Sequence, residues 1–155
     1  MFIQYKKNIK PDSKVRGFTL IEVMIVVGIL AGLAGLGLFV SVDLYKSYTF
    51  YSERNIVISI IQKARNQSLV NINESKHGVY LESGRYTIFQ GENYVSRNAV
   101  YDEIIEAGPT ISRTGLTEIV FDQLNGNPNI TGNITLSEGL RSSIISIENE
   151  GRINW

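Results

Sequence analysis

The chain has 155 residues and a mass of 17.3 kDa, which is enough for one domain and short for two. Its formal net charge is zero, with 43% hydrophobic and 19% charged residues, so long disordered tails are not expected. It contains no cysteine. Disulfides, thiolate metal sites, cysteine nucleophiles and lipids attached to cysteine are therefore excluded.

The N-terminal part of the chain pairs a basic leader with an apolar run. The first seventeen residues carry five positive charges and one negative charge, and Val23 to Val42 is a run of twenty uncharged, mostly apolar residues. As a helix this run is about 30 Å long, which matches the hydrocarbon core of a bilayer. The positive-inside bias then predicts a single-pass protein of the cytoplasmic (inner) membrane, with a cytoplasmic N-terminus and an extracytoplasmic head.

A secretory signal peptide is the alternative interpretation, with a cut after Gly32-Leu33-Ala34 and a mature protein that begins near Gly35. Against it, the apolar run is longer than a usual signal core, and Glu22 stands directly at its start. A carboxylate costs roughly 2.5–3.5 kcal/mol near the membrane centre, less at the edge, and usually marks function. A disposable signal gives no reason for Glu22.

The residues from Arg16 to Val23 read Arg-Gly-Phe-Thr-Leu-Ile-Glu-Val. They resemble the cleavage and methylation motif of the type IV pilin and pseudopilin superfamily. The resemblance implies cleavage between Gly17 and Phe18 by a prepilin peptidase, N-methylation of Phe18, and a role for Glu22 as an intramembrane acid. It also implies other pilins and an inner-membrane assembly platform as partners. A neighbour's Glu22 then pairs with the new ammonium of Phe18, or, in the alternative, Glu22 only reaches toward the lipid headgroups.

Two glycines within the apolar run, Gly28 and Gly32, have the spacing of a Gly-xxx-Gly pair. Small residues at this spacing let helices approach closely in lipid, so both are candidate helix-packing residues. Glycines also occur in membrane helices without such a role, and that interpretation stays open.

Beyond the apolar run the sequence predicts an α+β fold, a long N-terminal helix packed on an antiparallel β-sheet head. The amphipathic repeat of Val57, Ile61, Ala64 and Ser68 continues one helix from about Phe18 to about Val70. Short strand-like segments with glycine turns follow. The predicted strands are Val79–Leu81, Tyr86–Phe89, Tyr94–Val95, Glu118–Phe121, Asn133–Leu136 and Ser143–Ile147. Tyrosines just beyond the run, among them Tyr45 and Tyr48, are expected to form an interfacial aromatic belt.

Four parts of the chain follow from these patterns. They are a cleaved leader (1–17), the membrane half of the helix (18–42), its outer half (43–73) and a β-rich head (74–155). Segments of the second half are similar to the minor pseudopilins of the H type, the GspH/FimT family. Those segments are Ile61–Ser68, Ile119–Asp122, Gly132–Leu136 and Ile147–Asn154. The resemblance implies a structural subunit at or near the tip of a type II secretion pseudopilus or a type IV pilus.

The sequence offers no set of residues for catalysis, and no cofactor is expected. His77 is the only histidine, and the Lys-His-Gly context predicts a surface turn. Asp102, Glu103 and Glu106 are expected on an exposed helical face. The oxygens of Asp122 and nearby asparagines fit turns better than a calcium loop, so no metal site is predicted.

Nucleic-acid binding is the alternative function, because some members of the same branch bind DNA through basic residues of the head. The outer part of the chain carries Arg85, Arg97, Arg113, Arg141 and Arg152. Phosphate binding needs such residues clustered in one positive patch. Arg141 and Arg152, expected to converge near the C-terminus, are the candidate DNA contacts, although isolated surface arginines are the commoner arrangement.

Overall fold

The computed structural model describes residues 17–155, apart from the side chain of Phe39. Residues 1–16 of the predicted leader lie outside the described part. The chain divides into a first unit that ends at Val42 and a second unit, Asp43–Trp155. The single long helix α1, Leu20–Leu69, begins in the first unit and ends in the second. The predicted continuous helix is therefore confirmed, and it begins two residues later than expected.

The first unit consists of the apolar part of α1. Its described side chains from Leu20 to Val42 are exposed. The helix is long and apolar enough to cross a membrane by length and composition. Apolar side chains exposed along a whole helix need an apolar surrounding, which lipid or a neighbouring helix supplies.

The second unit packs the remainder of α1 against two antiparallel sheets. The strands are β1 (His77–Glu82), β2 (Arg85–Gln90), β3 (Glu103–Glu106), β4 (Ser112–Gly115), β5 (Glu118–Phe121), β6 (Gly132–Glu138), β7 (Arg141–Ile147) and β8 (Ile153–Asn154). One sheet has the order β3-β2-β1-β5 and the other β4-β6-β7-β8. The α+β class is confirmed, with two four-stranded sheets in place of the single sheet expected.

The core of the second unit lies between α1 and both sheets. Val57, Ile61 and Ala64 are fully buried on the helix, as their three- and four-residue spacing predicted. The sheets contribute further fully buried aliphatic side chains, which are Val79, Ile119, Ile134, Leu136 and Ile145. Contributions from both sheets make this one continuous core.

Two local predictions were wrong in the segment between β2 and β5. Tyr94 and Val95 lie in a loop, where the Tyr94 ring stacks on Tyr80 with 3.9 Å between centroids. Glu103 and Glu106 lie on β3, an edge strand, and not on a helix. Their charges suggested a solvated helix face, but pairing with β2 decides the conformation, with Glu106 opposite Arg85.

The surface position predicted for His77 was also wrong. This residue opens β1 and is only 4% exposed. Its backbone N–H donates to Ser68 Oγ (2.9 Å), and Ser68 Oγ donates to the carbonyl oxygen of Phe121 (3.0 Å). Ser68, near the end of α1, is thus hydrogen-bonded to both β1 and β5. Nδ1 of the His77 ring has no hydrogen-bond partner among the described residues.

Burial of His77 predicts a loss of stability in mild acid. Burial lowers the pKa of the imidazole from its usual 6.5, so the folded state keeps the neutral ring. The unfolded chain takes up a proton as the pH falls below about 6.5. The stabilisation is therefore complete above that pH, and it decreases below it by at most about 1.4 kcal/mol per pH unit. Urea unfolding of the detergent-solubilised chain at a series of pH values measures this slope.

The variant His77→Gln is the control, because it keeps a polar side chain and cannot titrate. Its stability should fall less steeply than that of the wild type as the pH drops from about 7 to about 5. Parallel profiles for the two proteins would contradict the prediction.

Candidate processing and assembly site

The residues around the predicted cleavage site are accessible. Gly17, Phe18 and Thr19 precede the helix and are exposed, and the Phe18 side chain is 83% exposed. A peptidase needs an open, non-helical backbone at the bond that it cuts, and a glycine before the bond lets it approach closely. The structure places Gly17 and Phe18 in such a segment, directly before α1.

Thr19 caps the start of α1. Its Oγ1 accepts a hydrogen bond from the N–H of Glu22 (3.3 Å), and its carbonyl oxygen accepts one from the N–H of Val23 (3.2 Å). Thr-x-x-Glu at a helix start has the spacing of a capping box. A carboxylate in the first turn also interacts favourably with the positive end of the helix dipole. The sequence interpretation missed Thr19, although the spacing was visible in the sequence.

The cap gives Glu22 a defined position. It is the third residue of α1, one turn after Thr19, and it is exposed. Its carboxylate therefore stands on the helix surface at the beginning of the apolar run. A positive group of another molecule can approach it there without displacing a side chain of the described residues.

Gly28 and Gly32 stand one turn apart on the same side of α1. An added Cβ at either position would have no atom of a neighbouring side chain within 4 Å. Both positions are open for the close approach of a second helix.

The five arginines of the head, residues 74–155, all have partners within the second unit. Four of them form ion pairs, which are Arg85–Glu82, Arg97–Asp102, Arg141–Asp43 and Arg152–Glu148. The fifth, Arg113, donates to the carbonyl oxygen of Leu81 and lies over the Tyr86 ring. Each arginine therefore has a partner that offsets its charge or fixes its donors.

Arg141 and Arg152 do not converge as expected. Arg141 is the first residue of β7, whereas Arg152 precedes β8, whose Ile153 pairs with Ile147 at the other end of β7. Six residues of strand separate the two ends, or about 20 Å at the usual rise. The structure thus places the two candidate DNA contacts apart.

The carboxylates of the segment around β3 are held in ion pairs and hydrogen bonds. Glu103 bonds to the Lys63 ammonium and to Gln67, and the bond to Lys63 lowers the pKa of its carboxyl. Asp102 pairs with Arg97 at 2.8 Å. These carboxylates brace β3 and the preceding loop against α1.

The asparagines near Asp122 bond to the backbone, and Asn125 lies in a turn, as its sequence favoured. Asn125 Oδ1 accepts from the N–H of Asn127, and Asn129 Oδ1 accepts from the N–H of Val120. Asp122 pairs with Lys76. Within residues 17–155, no group of three or more His, Cys, Asp or Glu side chains is arranged to hold a metal ion.

The sequence interpretation did not identify Glu53, a buried acidic residue of α1. Glu53 on α1 is buried and accepts a hydrogen bond from the Tyr86 hydroxyl (2.5 Å). Burial raises the pKa of that hydroxyl. Gly108 approaches the same carboxylate, since a Cβ there would lie 3.1 Å from Glu53 Oε2. The pair joins the helix to β2 and to the loop before β4, beside an open cavity of about 520 Å³.

Residues 12–37 match the family described as the prokaryotic N-terminal methylation motif. The matched stretch includes Gly17, Phe18, Glu22 and most of the apolar run. The match supports a type IV pilin-like protein of the prepilin type. No curated protein and no solved structure gives a significant match to it.

This methylation motif indicates how a chain that carries it is processed and assembled. It implies processing by a prepilin peptidase and assembly with other pilins. Proteins with this motif are structural rather than enzymatic. Together with the apolar helix, the motif indicates membrane anchoring and incorporation into a pilus.

Proposed function

We propose that this pilin-like chain is a minor pseudopilin of the H type, a structural subunit of a type II secretion pseudopilus or a type IV pilus. Its proposed parts are a cleaved leader (1–17), a membrane half of α1 (18–42), an outer half (43–73) and a β-rich head (74–155). The subunit is inserted in the inner membrane with its head outside, and the assembly platform then moves it laterally into the filament, at or near the tip.

The observation that carries this proposal is the order of features at the start of the described chain. An exposed Gly17–Phe18 bond is followed by the Thr19 cap, then by Glu22, and then by an exposed apolar helix. Each feature has a use in a pilin-like subunit: the bond for the peptidase, the cap for a defined helix start, and the helix for the bilayer and the filament core.

Glu22 is the proposed assembly residue. Cleavage after Gly17 creates a positive ammonium at Phe18, four residues before the carboxylate. In an apolar surrounding an unpaired charge is costly, and pairing with an opposite charge offsets part of that cost. The Phe18 ammonium of one subunit and Glu22 of its neighbour therefore favour one axial position between subunits. Gly28 and Gly32 allow the helices to approach in that position.

The alternative, a DNA- or surface-binding tip pilin, has less support. A DNA-binding head needs several cations whose charges are directed at phosphates. Here four of the five arginines of the head (74–155) pair with carboxylates of the same chain. That arrangement favours a structural head.

The mass of the N-terminal peptide tests the proposal. We expect the membrane-extracted protein to begin at Phe18 when a prepilin peptidase is co-expressed, one methyl group heavier where the peptidase also methylates. Without the peptidase it should begin at Met1. The variant Gly17→Val should stay uncut in both cases, because a branched side chain beside the bond blocks close approach of the enzyme.

A terminus near Gly35 would show that signal peptidase cuts the chain and would contradict the proposal. An uncut Met1 in the presence of a peptidase that processes a control prepilin would contradict it as well.

A further inference from the structure

The hairpin between β6 and β7 carries an apolar side chain at its tip. Glu138 pairs with Arg141, so Gly139 and Leu140 form a two-residue loop. Gly139 has a φ of 60°, which is the conformation that such loops require of glycine at this position. Leu140 has no such constraint, and a polar residue would serve the turn equally well. Its side chain is nevertheless completely exposed, at 106% relative accessibility.

Arg141 ties the base of this tip to α1. Its Nη2 donates to Asp43 Oδ1 (2.5 Å) and to Ser47 Oγ (2.9 Å). Asp43 and Ser47 stand one helical turn apart, and Ser47 Oγ donates to the carbonyl oxygen of Asp43 (3.0 Å). These bonds from one guanidinium therefore place the end of the hairpin beside one turn of α1 and on one side of that helix.

The turn of α1 that contacts Arg141 lies at the end of the apolar run. Asp43 directly follows Val42, the last residue of the run, and adjacent Cα atoms are about 3.8 Å apart. The covalent bond alone therefore keeps the base of the hairpin close to the point at which the chain leaves the bilayer. Leu140 is the residue next to this contact.

The helix carries residues that favour the membrane interface in the same turns, just after the apolar run. Tyr45 and Tyr48 are exposed, and Lys46 between them is exposed as well. Tyrosine rings favour the headgroup region, and a lysine stem lies along apolar surface while its ammonium reaches phosphate. The charges of Arg141 and Asp43 offset each other at the base of the tip. Apolar and aromatic side chains therefore border the end of the apolar run on the helix and on the hairpin.

We propose that Leu140 inserts into the interfacial layer of the bilayer before the subunit enters a filament. It forms a second lipid contact beside the spanning helix, on the side of α1 that carries Asp43 and Ser47. Tyr45 lies about 200° of helical rotation from Asp43 and serves the interface on the opposite side. Because the Leu140 contact lies off the helix axis, it resists tilting of the second unit against the membrane surface. The inference rests on the proposed membrane topology.

Site-directed fluorescence tests the proposal on the full-length chain, which contains no native cysteine. The variant Leu140→Cys is labelled with an environment-sensitive nitrobenzoxadiazole dye and reconstituted in vesicles of equimolar phosphatidylcholine and phosphatidylglycerol. We expect a blue shift of the emission relative to detergent-free unfolded protein, and a loss of emission when the lipids carry a nitroxide near the headgroup.

Two further variants make the result decisive. Val95→Cys is the matched control, because Val95 is 93% exposed in a loop after β2. That loop follows Gln90, which pairs with His77 beside the distal end of α1, roughly 37 Å along the helix from Asp43. The dye attached at position 95 should therefore show the emission of an aqueous environment. Leu30→Cys lies within the apolar run and should report lipid if the chain spans the bilayer.

The outcomes separate the inference from the topology on which it rests. Lipid at Leu30 with water at Leu140 overturns the hairpin contact and leaves the anchor in place. Water at both positions overturns the membrane topology itself. Shielding of Leu140 that depends on protein density, without quenching by lipid nitroxide, identifies a second copy of the chain as the occupant and also overturns the proposal.

Discussion

Replacing Glu22 by leucine is expected to leave cleavage intact and to remove the protein from filaments. The carboxylate is then no longer available to the Phe18 ammonium of a neighbour, and a buried charge without its partner costs about 3–5 kcal/mol. That free energy corresponds to more than about a hundredfold in the assembly equilibrium. The measurement is the ratio of the protein in sheared filaments to that in membranes, in cells that supply the partner pilins.

The neighbouring substitution Val23→Leu is the matched control, since it changes an exposed apolar side chain of the same turn and keeps the charge. It should assemble like the wild type. If Glu22 only reaches toward the lipid headgroups, the leucine variant will also assemble normally, and the pairing mechanism is wrong. An uncut Glu22→Leu chain would instead assign the carboxylate to recognition by the peptidase.

Replacing Gly151 by alanine is expected to produce a large loss of stability in the head. Gly151 is buried and has a φ of 71°, a conformation that L-residues rarely adopt. An added Cβ would lie far inside contact distance of Arg65 Nε and the carbonyl oxygen of Gly126. Either Arg65 or the loop at Gly126 must then move.

Such a movement breaks a connection between distant parts of the chain. The Arg65 guanidinium donates to the carbonyl oxygens of Gly126 (3.1 Å) and Glu150 (2.8 Å). It therefore joins α1 to the loop after β5 and to the turn before β8. Backbone strain together with one lost hydrogen bond gives an expected loss of about 2–4 kcal/mol.

Gly139→Ala is the control for backbone strain. Gly139 has a φ of 60°, and an added Cβ there meets no atom within 4 Å. We expect a loss of about 1 kcal/mol for this variant. The midpoints of urea unfolding at an unchanged slope measure both values. Equal midpoints for the two variants would show that the contact with Arg65 contributes nothing.

The sequence alone predicted those features whose signals are contiguous. The leader charges and the apolar run predict a membrane segment from charge and lipid thickness alone. The roles of the Gly17–Phe18 bond and of Glu22 are implied by the resemblance of the adjoining eight residues to the pilin motif. The long helix was equally predictable, because its buried face repeats with the helical period.

Features that depend on a distant partner could not be predicted in this way. β3 is a strand because β2 pairs with it, although its charges suggested a solvated helix. His77 is buried where β1 pairs with β5 and where Ser68 of α1 bonds to both strands. The partners of the outer arginines come from elsewhere in the fold, and Arg141 reaches back across almost a hundred positions of the sequence to Asp43.

The sequence therefore determined the long apolar segment, the methylation motif and the α+β class. The tertiary structure decided the division of the head into two sheets, the burial of His77 and Glu53, and the separation of Arg141 from Arg152. The physical reason is the range of the interactions. Hydrophobic length, helix period and capping act between neighbours in the chain, whereas strand pairing and burial depend on which distant segments meet in the folded core.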